Sequence, residues 1–462
     1  MMASVGQPEV TVYNQGFALI KEVREFQLKE GRQTLSVTDV ASMIETNSVG
    51  IRSLTDTNSF DVLEQNYQYD LINPWGILNK AVGQKIKFLR VLPNGQKETI
   101  EGTLMSAPTS VVGDQYGNSQ STYNGMVIKT NDGRILLNPS GEIEVGSIPE
   151  GMISRPTLLW DIDSRKSGNN QIELSYLTKG MQWEANYVLT LDGVSLADLR
   201  GWVTMTNNSG TTYKDANLKL LAGDVRRVQP QAPMGMAYGG GTAGGRGGGG
   251  FAEESLFEYH LYTLQRPATL KDKEIKQLSL LEGSGIKFEK KLIVDSMRDF
   301  GMYYPGEGEV GTGNLKPQVR VEFVNSKENN LGMPMPKGTI KVYQRDKSGS
   351  VQMLGEDQID HTPRDEKISL VVGRSFDVVA ERKRLNFQRL SPTSFRETFE
   401  IEVRNRKEAP ETVNVLERHY GDWKVTEKSM DFTKLDSISM QFVVSLKAGE
   451  SKKVTYTVET KW

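Results

Sequence analysis

The chain of 462 residues has no cysteine, only three histidines and no surplus of either charge: 56 Lys and Arg stand against 58 Asp and Glu, a formal net charge of −2. The missing thiol excludes disulfides, Cys-ligated zinc or iron–sulfur centres and a cysteine nucleophile. Any histidine-dependent acid or base must be His260, His361 or His419, all beyond the chain midpoint. Neutralising a phosphate backbone needs a clustered basic excess, so no nucleic-acid partner is expected. Nowhere does the sequence hold the roughly 18–20 consecutive apolar residues of a membrane helix, and no transmembrane segment is expected. The opening Met1-Met2-Ala3-Ser4-Val5-Gly6 lacks the basic and apolar regions of a signal peptide and reads as an initiator joined to a mature chain whose leader has been removed. No Gly-x-Ser-x-Gly elbow occurs, which leaves a serine hydrolase without support.

What the sequence does have is alternation. Apolar and polar residues change places with period two, as strands buried on one face require. Phe26 and Leu28 face Leu35 and Val37 across Lys29-Glu30-Gly31-Arg32, the pattern of a hairpin. Phe442, Val444 and Leu446 stand in the same relation to Val454, Tyr456 and Val458 across Lys447-Ala448-Gly449-Glu450. Helix signals are few: Asn73 caps a short stretch that begins at Pro74 and ends by Gly83. The expectation is an all-β, multi-domain protein of β-sandwich type with a small inserted SH3-like or OB-like barrel. Its parts are an N-terminal β domain at 8–78, the small barrel at 79–150 and a large sandwich region at 155–462.

A glycine-rich insertion at 233–251 interrupts that last region, with ten glycines among the sixteen residues from Gly235 to Gly250. A phosphate-binding loop would need a Gly-Lys-Ser/Thr ending that starts a helix, and none follows, so the segment reads as a mobile linker. A second loop spans 301–314. Three alternating runs end on an asparagine, at Asn207, Asn325 and Asn405. Asparagine suits a tight corner at a strand end, and the same recurrence would also fit distantly related sandwich units.

The place to look for chemistry is the acidic loop with Glu356, Asp357, Asp360, His361, Asp365 and Glu366. Its carboxylate density could suit Ca²⁺, a hard cation that takes oxygen ligands, though the spacing is not that of an EF-hand and Arg364 and Lys367 interleave. No cofactor is expected beyond that one candidate ion. Asp357, Asp360 and His361 are the candidate binding residues, with Tyr303 and Tyr304 as a candidate platform for a sugar. Trp183, Tyr187 and Trp202 lie in strand-like text and read as core anchors.

The order and spacing of several segments carry a resemblance. They are Tyr176-Leu177-Thr178-Lys179-Gly180-Met181-Gln182-Trp183-Glu184-Ala185-Asn186-Tyr187, Gly201-Trp202-Val203-Thr204-Met205-Thr206-Asn207, Asp215-Ala216-Asn217-Leu218, Leu331-Gly332-Met333-Pro334-Met335-Pro336-Lys337-Gly338 and Gly373-Arg374-Ser375-Phe376-Asp377-Val378. From about Thr157 to Val458 the chain resembles a bacterial family built on a domain of unknown function, the domain that forms the C-terminal part of mucoidy inhibitor A. The N-terminal third is similar to the leading region of shorter members that lack a long coiled coil. The resemblance implies an all-β protein exported to the periplasm or cell surface, and it supplies no catalytic residues. The expected function is a non-enzymatic envelope or surface module that acts by binding a protein partner or by self-assembly, for instance through open sheet edges. The alternative is a metal-dependent or carbohydrate-active enzyme, or a glycan-binding module, that uses the loop at 356–366.

Overall fold

The computed structural model describes residues 5–91, 95–106, 109–113, 119–123, 125–139, 141–193, 195–227, 251–296 and 311–462. Nearly all of the expected insertion at 233–251, and the 301–314 loop up to residue 310 with Tyr303 and Tyr304, lie outside the described residues. The chain is all-β: strands account for 64% of it and helix for 4%. Among the described residues no helix is long and apolar enough to cross a membrane.

Three hydrophobic cores organise the strands. The largest unites residues from Val10 to Leu370 and is enclosed mainly by two sheets. In the first sheet Phe251–Leu256, Tyr259–Leu264, Tyr213–Ala222, Glu9–Tyr13, Phe17–Leu28, Gly168–Lys179 and Gly50–Ser53 follow one another. Glu9–Tyr13 runs parallel to Tyr213–Ala222, and Phe17–Leu28 pairs along its whole length with Gly168–Lys179. The segment expected as a separate N-terminal domain is therefore threaded through the larger unit, because its apolar faces are completed only by strands that come some 150 residues later. Composition marks where strand text changes but not which strands pair.

In the second sheet seven strands come almost full circle: Val351–Ile359, Gly338–Arg345, Met181–Leu191, Leu196–Asn207, Glu274–Asp295, Gln318–Val324 and Lys367–Arg374. The first and last meet without a ladder. The Asp357 carboxylate accepts the Val371 N–H at 2.7 Å, and a Cβ at Gly355 would collide with the carbonyl oxygen of Val372. Glu274–Asp295, 22 residues long, serves two sheets. Its early part pairs with Leu196–Asn207, and Leu292 to Asp295 run parallel to Glu411–Arg418 in the C-terminal sandwich. There Gly313–Leu315, Val378–Ser391, Ser394–Asn405, Ser451–Lys461 and Asp422–Lys428 form the facing sheet around Val403, Val415, Phe442 and Tyr456.

Both sequence hairpins prove to be arches. Phe17–Leu28 and Gly31–Thr38 belong to different sheets, as do Ser439–Leu446 and Ser451–Lys461. Two strands joined by a short turn show the same alternation whether they bond to each other or face each other across a core, so the pattern alone cannot separate the cases. The segment 79–150 builds its own core on Ile86, Phe88, Ile100, Leu104 and Ile128, with Leu78 of the helix Pro74–Lys80 packed against it. Its five-stranded sheet has Ile135–Leu137 and Glu142–Val145 at its edges, and no ladder joins them among the described residues. The helix begins as its sequence dictates, with Asn73 accepting the Gly76 N–H at 2.8 Å and Pro74 in the first turn.

The three asparagines mark one corner used three times. All are fully buried. Each amide Nδ2 donates to two carbonyls: Asn207 to Thr211 and Leu270 at 2.9 and 3.1 Å, Asn325 to Met333 and Pro363 at 2.9 and 3.0 Å, Asn405 to Ala409 and Lys447 at 2.8 and 2.9 Å. Each Oδ1 accepts a backbone N–H from the connection that follows, that of Ser209, Gly332 or Lys407. Opposite them stand Glu274, Glu366 and Glu450, each preceded by a residue with left-handed φ: Lys273 at 58°, Asp365 at 64° and Gly449 at 69°. The corner locks a strand end to the start of its antiparallel neighbour.

Trp202 departs from its expected role. It is 39% exposed, because Gly201 and Val203 take the inward positions of its strand. Glycine is needed at 201, where a Cβ would crowd the Tyr187 ring. Tyr187 and Trp183 are buried as expected.

Candidate functional site

A cavity of about 220 Å³ opens where four segments converge. Asn14 comes from the turn between Glu9–Tyr13 and Phe17–Leu28. Trp183, Glu184 and Ala185 come from Met181–Leu191, Lys337, Gly338 and Thr339 from the entry to Gly338–Arg345, and Gln358 and His361 from the end of Val351–Ile359 and beyond.

The walls are held by buried hydroxyls. Tyr187 donates to the Pro336 carbonyl at 2.8 Å and Tyr262 to that of Pro334 at 2.9 Å, so the proline-bearing run from Met333 to Pro336 is pinned at both ends. Burial pushes both phenols well above their ordinary pKa and keeps them as donors. Met335 and Thr362 then exchange two backbone hydrogen bonds of 2.9 Å, which sets the position of His361. Gly338 enters its strand so close to Met181–Leu191 that a Cβ would collide with the Ala185 carbonyl. The Trp183 ring meets Tyr262 edge to face, with centroids 6.5 Å apart.

His361 accepts the Lys337 backbone N–H at its Nδ1, 3.2 Å away, while its Nε2 lies 3.4 Å from the Asn14 amide. Burial lowers its pKa; Asp224 and Asp360 oppose the fall, and Lys337 and His260 add to it. At neutral pH the ring is uncharged with its proton on Nε2. Two buried polar atoms of the cavity's residues, the Trp183 indole N–H and the Asn14 Oδ1, have no partner within the described residues. His260, whose charge reaches His361, is bound through Nδ1 to the buried Glu253 carboxylate at 2.7 Å.

Neither a protein-family model nor a curated protein matches the chain. A fold class alone does not name a function, which has to come from the site.

The acidic loop disperses its side chains. Asp357 is taken up by the Val371 and Gln358 N–H groups at 2.7 and 2.9 Å, closing the ring of strands. Asp360 points outward, its side chain 94% exposed and 3.7 Å from the Lys337 ammonium. Asp365 and Glu366 sit in the Asn325 corner. Of the expected binding residues that the structure describes, only His361 lines the cavity, together with Trp183, which the sequence offered as a core anchor or a ligand-stacking ring. Among the described residues no group of three or more His, Asp or Glu is placed to hold a metal ion. Asn14, Lys337, Glu184 and Gln358 were not among the expected binding residues. Asn14 and His361 are 347 residues apart, and Asn14 carries only the signature of a turn.

A second polar cluster lies in the core of the C-terminal sandwich. Arg382 and Glu417, both fully buried, bond from opposite sheets at 2.8 to 3.1 Å. Tyr456 donates to Glu417 at 2.6 Å and accepts from His419 at 3.1 Å. Arg382 also lies over the Phe399 ring at 3.9 Å and donates to the Gly311 carbonyl at 2.5 Å. This cluster stitches two sheets together.

Proposed function

We propose that the chain is a non-enzymatic binding module of the bacterial cell envelope, as its family resemblance implies, and that the cavity around His361 is its recognition site. The observation that carries this reading is the unmet hydrogen-bonding capacity at the cavity: the buried Trp183 N–H and the Asn14 amide belong to residues that line it. Leaving such a group unpaired costs about 1–3 kcal/mol, a loss that an occupant relieves. The volume, about 220 Å³, lies below the roughly 300–1,000 Å³ of drug-sized pockets and suits a single small molecule or one projecting group of a polymer. Export to the periplasm or surface belongs to the same proposal, and fractionation of the native host checks it.

Fractions of a cell-envelope extract, tested by thermal shift, should raise the melting temperature of the wild type saturably and leave a Thr339→Trp variant, whose mouth is filled, unmoved. If no fraction stabilises the wild type, the reading is wrong. Self-assembly has separate support. Among the described residues Phe60–Gln68 is an edge strand whose ladder runs to Thr157–Ser164 alone, with Val62 and Leu63 exposed, and such an edge can accept a further strand. Light scattering of Val62→Lys against wild type tests it, with loss of any oligomer as the expected outcome.

A further inference from the structure

We infer that the cavity takes an uncharged polyhydroxyl ligand of monosaccharide size. The inference rests on the cavity being the recognition site and adds the class of its ligand.

The argument starts from hydrogen positions. Because Nδ1 of His361 accepts from the Lys337 backbone, its Nε2 must carry the proton in the neutral ring. The Asn14 atom placed 3.4 Å from Nε2 is the amide nitrogen, so two donors face each other. A half-turn of the Asn14 amide exchanges its nitrogen and oxygen, and that exchange turns the clash into Nε2–H donating to Oδ1. The same exchange puts the NH₂ where the buried oxygen had no partner. The Trp183 indole can only donate. Among the described residues the unmet buried capacity at the cavity is thus donor capacity, and an occupant has to bring oxygen acceptors.

Charge narrows the class. Glu184 lines the cavity, Asp360 stands beside Lys337, and Asp224 is near enough to raise the pKa of His361. In the lining one carboxylate, Glu184, offsets one ammonium, Lys337, so the cavity offers an anion no net positive charge, although an anion would suit the donors. A cation would satisfy the carboxylates but leave the indole and amide N–H groups unpaired. Hydroxyl groups do both, since each accepts at the inner wall and donates to Glu184, Gln358 or Thr339 at the mouth. A single pyranose ring is the uncharged group of that kind that matches the volume.

The test uses the full chain with glucose, galactose, mannose and N-acetylglucosamine as uncharged probes and acetate and ethylamine as charged ones, read by saturation-transfer NMR and thermal shift. At least one sugar should bind in the millimolar range. Trp183→Phe, which keeps an aromatic ring but loses the pyrrole half of the indole with its N–H, should weaken that sugar at least about five- to tenfold, the size of one lost hydrogen bond. Asn14→Leu should abolish its binding, with both variants first shown to melt cooperatively. If acetate or ethylamine binds in a Trp183-dependent way and the sugars do not, the ligand class is wrong while the recognition site stands. If no probe binds, or if sugar binding ignores both substitutions, the inference is overturned.

Discussion

The buried pair in the C-terminal sandwich offers the sharpest test of the physical reading. Arg382 and Glu417 are 1% and 0% exposed at their side chains, so neither charge is shared with water. Glu417→Gln keeps the shape and removes the negative charge that the guanidinium bonds in the core, and it weakens the acceptor of Tyr456. Breaking a buried pair on one side costs about 3–5 kcal/mol. The sandwich unfolds together with the body it is joined to, so over about 400 residues, at about 2.1 cal/mol/K each, a kcal/mol moves the melting temperature by roughly 1 °C and a fall of roughly 3–6 °C is expected. Calorimetry and urea titration measure it. In a cycle with Arg382→Met, the double variant should lose less than the sum of the single variants, by roughly 1–3 kcal/mol. A Glu417→Gln protein within 1 kcal/mol of wild type, or strict additivity in the cycle, would refute the claim that this pair is desolvated and mutually dependent.

Three further outcomes follow from the same structure. Burial holds His419 down to about 4 from an ordinary 6.5, with Glu417 opposing and Arg382 adding to the fall. The unfolded chain therefore binds a proton there that the folded chain refuses; stability attributable to His419 is complete above pH 6.5 and drains by about 3 kcal/mol as pH falls towards 4. His419→Gln should flatten that part of the denaturation profile, and parallel profiles for variant and wild type would contradict it. Asn405→Ala removes an amide that satisfies two carbonyls and one N–H at a buried corner, so roughly 3–5 kcal/mol should be lost in urea melts, against less than about 0.5 for the exposed Asn169→Ala. Tyr187→Phe orphans the Pro336 carbonyl and should cost about 1–3 kcal/mol; amide exchange near Met335 should speed up more than at the distant Asn405 corner.

Much of the fold was legible because alternation is local. Val203, Val321 and Val403 read as inward residues of strands, and the asparagines that close those strands read as corners, because a side chain's face is set by its immediate neighbours. Partner choice is not local. The turn at Lys29–Arg32 has the composition of a hairpin whether its strands bond to each other or lie in two sheets, and the pairing of Phe17–Leu28 with Gly168–Lys179 leaves no trace in either segment alone. Trp202 was misplaced for a related reason: a large ring suggested an inward position, yet Gly201 had taken it to make room for Tyr187. Of the site, scarcity made His361 legible, since few histidines were available. Asp357 and Asp360 shared its loop but not its direction, and Asn14 became a wall of the cavity only through the meeting of distant strands.

The strand Glu274–Asp295 belongs to the ring of strands at one end and to the C-terminal sandwich at the other. It cannot act as a hinge, because its length is given over to ladders on both sides of the crossing. A cut at the loop before residue 311 would not release the sandwich whole: the fragment would lose Leu292 and Val294 from its core and bare the flank of Glu411–Arg418. Strain applied at Arg382 or Glu417 therefore has a continuous backbone route to the body that carries the cavity, and the two should unfold as one cooperative event.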